Sequence, residues 1–145
     1  MGTARQAKAL EEAWELLQQM MFGQRARMFA IAAEFELAPA QLMALASLEP
    51  DEPRPMSGLA ETLRCDNSNV TGIVDRLEAR GLVARRPGER DRRVKFLVVT
   101  PEGATLREQI RAKLGAPPDP LTALSEEDAL TLRDILRRAV ASVDT

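Results

Sequence analysis

Between Leu59 and Gly103 the chain reads LAETLRCDNSNVTGIVDRLEARGLVARRPGERDRRVKFLVVTPEG, and this stretch restricts the fold more than any other. Leu59, Ala60 and Leu63 repeat at helical spacing inside a short helix expected over residues 57–64. Cys65 falls in the turn that follows. A second helix is expected over residues 66–80, where Asp66 is a natural N-cap and Asn69 stands three residues on. Val70, Ile73, Val74 and Leu77 make its apolar face, and Gly81 stops it. Residues 82–86 and 94–99 then read as two strands, and Pro87-Gly88-Glu89-Arg90-Asp91 supplies the turn between them.

The flanks are helical. Residues 5–37 carry Leu10, Trp14, Leu17, Met20, Met21, Met28, Ile31 and Phe35 at helix-like spacing, with Gly23 as a potential break. Pro39 opens a shorter helix through Leu42, Leu45 and Leu48, and the proline-rich segment 49–57 is expected to be loop. Thr100 and Pro101 suit the start of a helix that runs to about Leu114, because a hydroxyl cap precedes a proline at the first helical position. Ser125, with Asp128 three residues later, opens a last amphipathic helix through Leu132, Ile135, Leu136 and Val140. The expected total is six helices and one two-stranded hairpin.

At 145 residues this is one domain's worth of chain. Charges interrupt every apolar segment, so no membrane span is expected, and Glu11, Glu12 and Glu15 leave no signal-peptide core. The single Cys65 excludes an internal disulfide and points to a reducing cytoplasm. With no histidine and no tyrosine, no phosphate-cradling glycine motif and no metal-ligand cluster, neither catalysis nor a cofactor or metal is expected.

Net charge is −2, but it is unevenly spread. Residues 57–100 hold nine basic and six acidic side chains, a balance of +3 that leaves −5 for the rest. Within 85–95 six basic residues face two acidic ones. A locally basic element on an acidic body suits a reader of double-stranded DNA, since affinity depends on where cations meet phosphates. A solvated turn is the plainer reading of the same residues.

In the DNA reading, the second helix of the pair enters a major groove. Its polar start brings Asn67, Ser68, Asn69 and Thr71 to base edges or phosphates, Gly72 allows close approach, and Arg76 reaches a phosphate or a base. A well-capped surface helix is the alternative. In the hairpin, Arg86, Arg90, Arg92, Arg93 and Lys95 supply cations for a minor groove or phosphates. Asp91 is read as a brace that holds one guanidinium by a bidentate bond. The apolar stripes of the terminal helices need cover, which a second copy provides; a monomer burying both internally is the other option.

These residues resemble the winged helix-turn-helix of the multiple-antibiotic-resistance regulator (MarR) family. LAETLRCDNSNVTGIVDRLEARGLVARR is similar to its paired helices and first wing strand. DRRVKFLVVTPEG is similar to its wing signature, with Asp91 and Arg93 at the D-x-R positions and Thr100 and Gly103 at the T-x-x-G positions. The resemblance implies a mainly α fold with a small β wing, a winged helix-turn-helix core flanked by N- and C-terminal dimerisation helices. It implies a single domain over 1–145, with residues 57–100 binding DNA and residues 5–37 and 102–143 forming the helical dimerisation region. It further implies a homodimer on a palindromic operator, Arg93 in the minor groove, commonly repression, and often release by an aromatic or phenolic ligand. Oxidant-sensing members place a reactive cysteine near the N-terminal helix, whereas the only cysteine here is Cys65, read as filler of the elbow.

Trp14, Met21, Phe22 and Met28 are the candidates to line an effector pocket, although methionines and aromatics at helical spacing also serve as core. The function expected is that of a transcriptional regulator. The alternative is a non-catalytic winged-helix module for protein interaction or DNA architecture, which would present apolar groups on the outward face of the second helix.

Overall fold

The computed structural model describes residues 3–64 and 67–143, the side chains of Asn67 and Ser68 excepted. The expected elbow residue Cys65 and helix cap Asp66 lie outside the described residues. Two compact units are delimited, residues 1–115 and 116–145.

In the larger unit, helix α1 spans Ala4–Glu34 and begins at Thr3, whose hydroxyl accepts the Gln6 N–H at 3.3 Å. It passes unbroken through Gly23, where the helix surface is open. It ends three residues before the expected boundary because Glu36 takes a left-handed conformation, φ 55°. Leu37 N–H then reaches Ala32 O at 2.9 Å and Glu36 N–H reaches Ala33 O at 3.1 Å, a Schellman turn with glutamate where glycine is usual. Only Ile31 and Ala32 of this helix are buried. Leu10, Trp14, Leu17 and Met21, at alternating spacings of four and three, are between 41% and 64% exposed.

Helix α2 (Pro39–Ser47) supplies Leu42, Ala44 and Leu45 to the core. Gln41 reaches back to accept the Ala38 N–H at 3.1 Å, satisfying one donor at the helix start. The segment expected to be plain loop contains a two-residue strand, β1 (Arg54–Pro55), ahead of α3 (Met56–Leu63) and α4 (Asn67–Ala79). Strands β2 (Val83–Pro87) and β3 (Lys95–Val99) form the hairpin, and the antiparallel sheet order is β1-β3-β2, with Arg54 opposite Leu97. The sheet therefore has three strands rather than two. Its third strand carries no pattern of its own; it exists because β3 has a free edge beside it. Arg54 fastens this edge to the helices, donating to Ser47 O and Gly58 O, each at 3.3 Å, and to the Thr62 hydroxyl.

Helix α5 (Pro101–Gly115) closes the unit. Leu42, Leu45, Leu48, Leu59, Val70, Val74, Leu77, Leu97 and Ile110 are fully buried together, so α2, α3, α4, β3 and α5 share one core. Arg107 is buried beside them, with its Nη2 at 2.9 Å from Glu49 Oε1 but not aligned for a hydrogen bond. Its Nε has no partner among the described residues. Removing the partner of a buried charge costs more than replacing the charge by a hydrophobe of like volume. Glu49→Ala is thus expected to lower stability more than Arg107→Met, as urea midpoints would reveal; the reverse order would mean that the pair is net stabilising.

In the smaller unit, the single-turn α6 (Asp119–Thr122) precedes α7 (Glu126–Ala141). Ser125 caps α7 by accepting the Asp128 N–H at 3.1 Å, and Glu126, Glu127 and Asp128 favour its N-terminal dipole. Leu121, Leu124, Leu132, Leu136 and Val140 line an open apolar groove within this unit. No single helix among the described residues is long and apolar enough to cross a membrane.

Candidate nucleic-acid interface

Helix α4 buries Val70, Val74 and Leu77 and turns its other side outward. Asn69, Thr71, Gly72 and Arg76 are all exposed on that side. An added methyl group at Gly72 would meet nothing in the chain, so the approach to the backbone there is open. Asn67 and Ser68 occupy the first turn of the helix. No large hydrophobic of α4 is exposed, which is the pattern that favours base edges over an apolar protein partner.

The helix ends as a complete Schellman motif. Gly81 has φ 72°, its N–H bonds Glu78 O at 2.9 Å, and Leu82 N–H bonds Leu77 O at 3.0 Å. The chain leaves this turn straight into β2, so the wing is set at a fixed distance from the reading helix. Thr100 reinforces the junction: its hydroxyl donates to Gly81 O at 2.6 Å and accepts the Gly103 N–H at 3.0 Å. Arg80 ties the same end of α4 to the end of α1 through Phe35 O at 2.9 Å and Glu36 O at 3.0 Å.

At the wing tip Gly88 N–H bonds Val94 O at 2.8 Å, and Val94 N–H bonds Asp91 O at 3.2 Å. Gly88 is buried under this turn, where a Cβ would lie 2.6 Å from Asp91 O. Asp91 Oδ1 accepts the backbone N–H of Arg93 at 3.0 Å. The expected bidentate grip on a guanidinium is not what forms. The carboxylate is two residues from that N–H and closes a local turn, so it fixes the backbone from which Arg93 projects.

Arg86, Arg90, Arg92, Arg93 and Lys95 are exposed, and none takes part in an ion pair among the described residues. The sixth cation of the segment behaves differently. Arg85 meets Asp75 at 2.5 Å and Glu78 at 2.9 Å, both on α4, and was not singled out by sequence. Burial alone would lower its pKa, but the hydrogen bonds and charges of the two carboxylates outweigh that and raise it. Helical spacing was the available signal: Asp75 and Glu78 are three apart on one side of α4.

The four candidate effector residues do not gather into an enclosed cavity. Trp14, Met21 and Phe22 are exposed on α1, and Met28 is half-buried. Phe22 borders only an open depression with Glu15, Gln18 and Gln19.

Known proteins bear on this arrangement. The sequence profile of the MarR family matches residues 37–95. The HTH-type transcriptional repressor MdtR of Bacillus subtilis is 34% identical over 110 residues, 75% of this chain and 71% of that one. The crystal structure of YusO from Bacillus subtilis superposes with TM-score 0.77 at 30% identity, covering 97% of this chain and 99% of that one. A Staphylococcus aureus MepR mutant bound to an oligodeoxyribonucleotide shares the fold, with TM-score 0.67 at 18% identity over 90% of this chain and 97% of that one. The polar outward face of α4, the cationic wing and these likenesses agree, and the chain belongs to the MarR family of winged helix-turn-helix DNA-binding transcriptional regulators.

Proposed function

We propose that this regulator is a cytoplasmic homodimeric repressor that holds a palindromic operator, with α4 in the major groove and the wing in the flanking minor groove. The observation that carries the reading is the set of five exposed wing cations, without an ion-pair partner among the described residues, beside the polar face of α4. In this reading Asn67, Ser68, Asn69, Thr71, Gly72 and Arg76 meet bases or phosphates, and Arg93 leads Arg86, Arg90, Arg92 and Lys95 along the minor groove. The uncovered stripes of α1 and α7 support two copies per site, because a two-fold operator demands two reading heads. Repression is supported by the likeness to the transcriptional repressor MdtR. Release by an aromatic or phenolic ligand completes the reading, with Trp14, Met21, Phe22 and Met28 offering apolar chemistry once a second copy covers α1.

Titrating the protein against DNA upstream of its own gene, at several salt concentrations and beside an unrelated duplex, tests the core of this. Tight, salt-sensitive, selective binding at two chains per site is expected; equally weak binding to both duplexes, followed by a genomic selection that recovers no preferred sequence, would sink it. Two substitutions separate the roles. Arg93→Ala is expected to weaken binding to operator and unrelated DNA alike and to reduce the salt slope by about one. Asn69→Ala is expected to cost about 1–3 kcal/mol on the operator and less elsewhere. Equal losses on both duplexes would demote Asn69 to backbone positioning, with circular dichroism as the control for helix content.

A further inference from the structure

Asp75 sits on the side of α4 that faces away from Val70, Val74 and Leu77, and Glu78 lies one turn further along. Two carboxylates on the outward flank of a DNA-reading helix would repel phosphates unless something answers them. Arg85 answers both. Its Nη2 reaches Asp75 Oδ1 and, at 3.4 Å, the backbone O of Thr71; its Nη1 reaches Glu78 Oε1. Glu78 also accepts the Arg85 backbone N–H through its other oxygen at 3.1 Å. One carboxylate thus grips residue 85 by main chain and side chain together, on the edge of β2 that β3 leaves open. The Arg85 side chain is 22% exposed, whereas Arg90, Arg92 and Arg93 at the wing tip are exposed.

The geometry points to Arg85 as a positioning residue for operator reading: clasped by Asp75 and Glu78, it sets the angle between the major-groove helix and the wing without itself meeting DNA. This rests on the two-groove reading proposed above. An isolated exposed ion pair contributes little, but a planar guanidinium holding two carboxylates and a carbonyl is a directional brace. A wing free to swing still brings its cations to phosphates on any duplex, but Arg93 and α4 then seldom occupy the two grooves of one site together, and that joint fit exists only on the operator.

Two variants decide the matter because they alter charge in opposite senses. Arg85→Ala removes the cation, and the double variant Asp75→Asn, Glu78→Gln frees it. For a clasp, both lower the ratio of operator affinity to unrelated-duplex affinity, by about tenfold, the order of one lost groove contact. Both also weaken hydroxyl-radical protection of the minor-groove sugars, while protection of guanine N7 from methylation in the major groove under α4 remains. For a direct phosphate contact, Arg85→Ala weakens both duplexes equally with a salt slope lower by about one, while the double variant strengthens both; that result overturns the proposal. An unchanged ratio in both variants overturns it too, leaving a surface ion pair. Thermal melts keep unfolding apart from misplacement. If instead the wild-type protein has no operator selectivity, or Arg93→Ala leaves all binding intact, the two-groove reading itself fails, which is a different outcome from failure of the clasp.

Discussion

Gly103→Ala is expected to destabilise the protein by about 3 kcal/mol or more, the upper range for forcing atoms into a packed site. A Cβ there would lie 1.9 Å from Leu82 O, 2.8 Å from the Leu82 carbonyl carbon and 3.0 Å from Val99 Cγ1. The obstacle is backbone, which has no rotamer to yield. Leu82 O already accepts the Thr100 N–H at 3.1 Å, so the first turn of α5 is drawn onto the start of β2 by a bond that the methyl group would have to break. Loss of that bond strands polar groups near buried Leu82 and Val99, adding to the steric cost. Urea unfolding would read the loss directly, and operator binding should fall with it because the wing root moves. A variant within about 0.5 kcal/mol of wild type would show that the contact relaxes freely, the behaviour of an ordinary surface site.

The second large effect is expected at α1. Replacing both Leu17 and Met21 with glutamate puts charges in the middle of a stripe that the single chain leaves exposed. Neither side chain belongs to the buried core, so the winged unit should keep its fold and its melting temperature. A second copy resting on that stripe could not tolerate the charges. Light scattering should report a monomer, and operator affinity should drop by roughly a hundredfold or more as two linked reading heads become one. A dimer persisting at wild-type concentrations would remove α1 from the interface.

Sequence and structure agree best where the deciding signals are local. Asn69, Val70, Val74 and Leu77 are close in the chain, and helical periodicity assigns their faces without any tertiary knowledge. Gly81, Thr100 and Ser125 are likewise legible because a cap is a bond between neighbours. What escaped depends on remote partners. Arg54–Pro55 looks like loop until β3 is beside it. Arg85 looks like one more wing cation, since its partners lie ten and seven residues back on another element. Asp91 was assigned to the right turn but to the wrong donor, a choice that only backbone geometry settles. The effector candidates on α1 have the apolar character of a pocket, but a single helix face cannot enclose one.

The 31 residues of α1 make a rod about 46 Å long, of which only the last turns are rooted in the core. Its root is pinned by a handful of polar ties: Arg80 on the carbonyls of Phe35 and Glu36, Arg27 on Lys113 O at 2.9 Å, and Lys113 on Glu34. A cantilever of that length converts a tilt of about 5° at the root into roughly 4 Å at the tip. Those few ties, together with the buried Ile31 and Ala32 beneath them, govern how far the other end can swing.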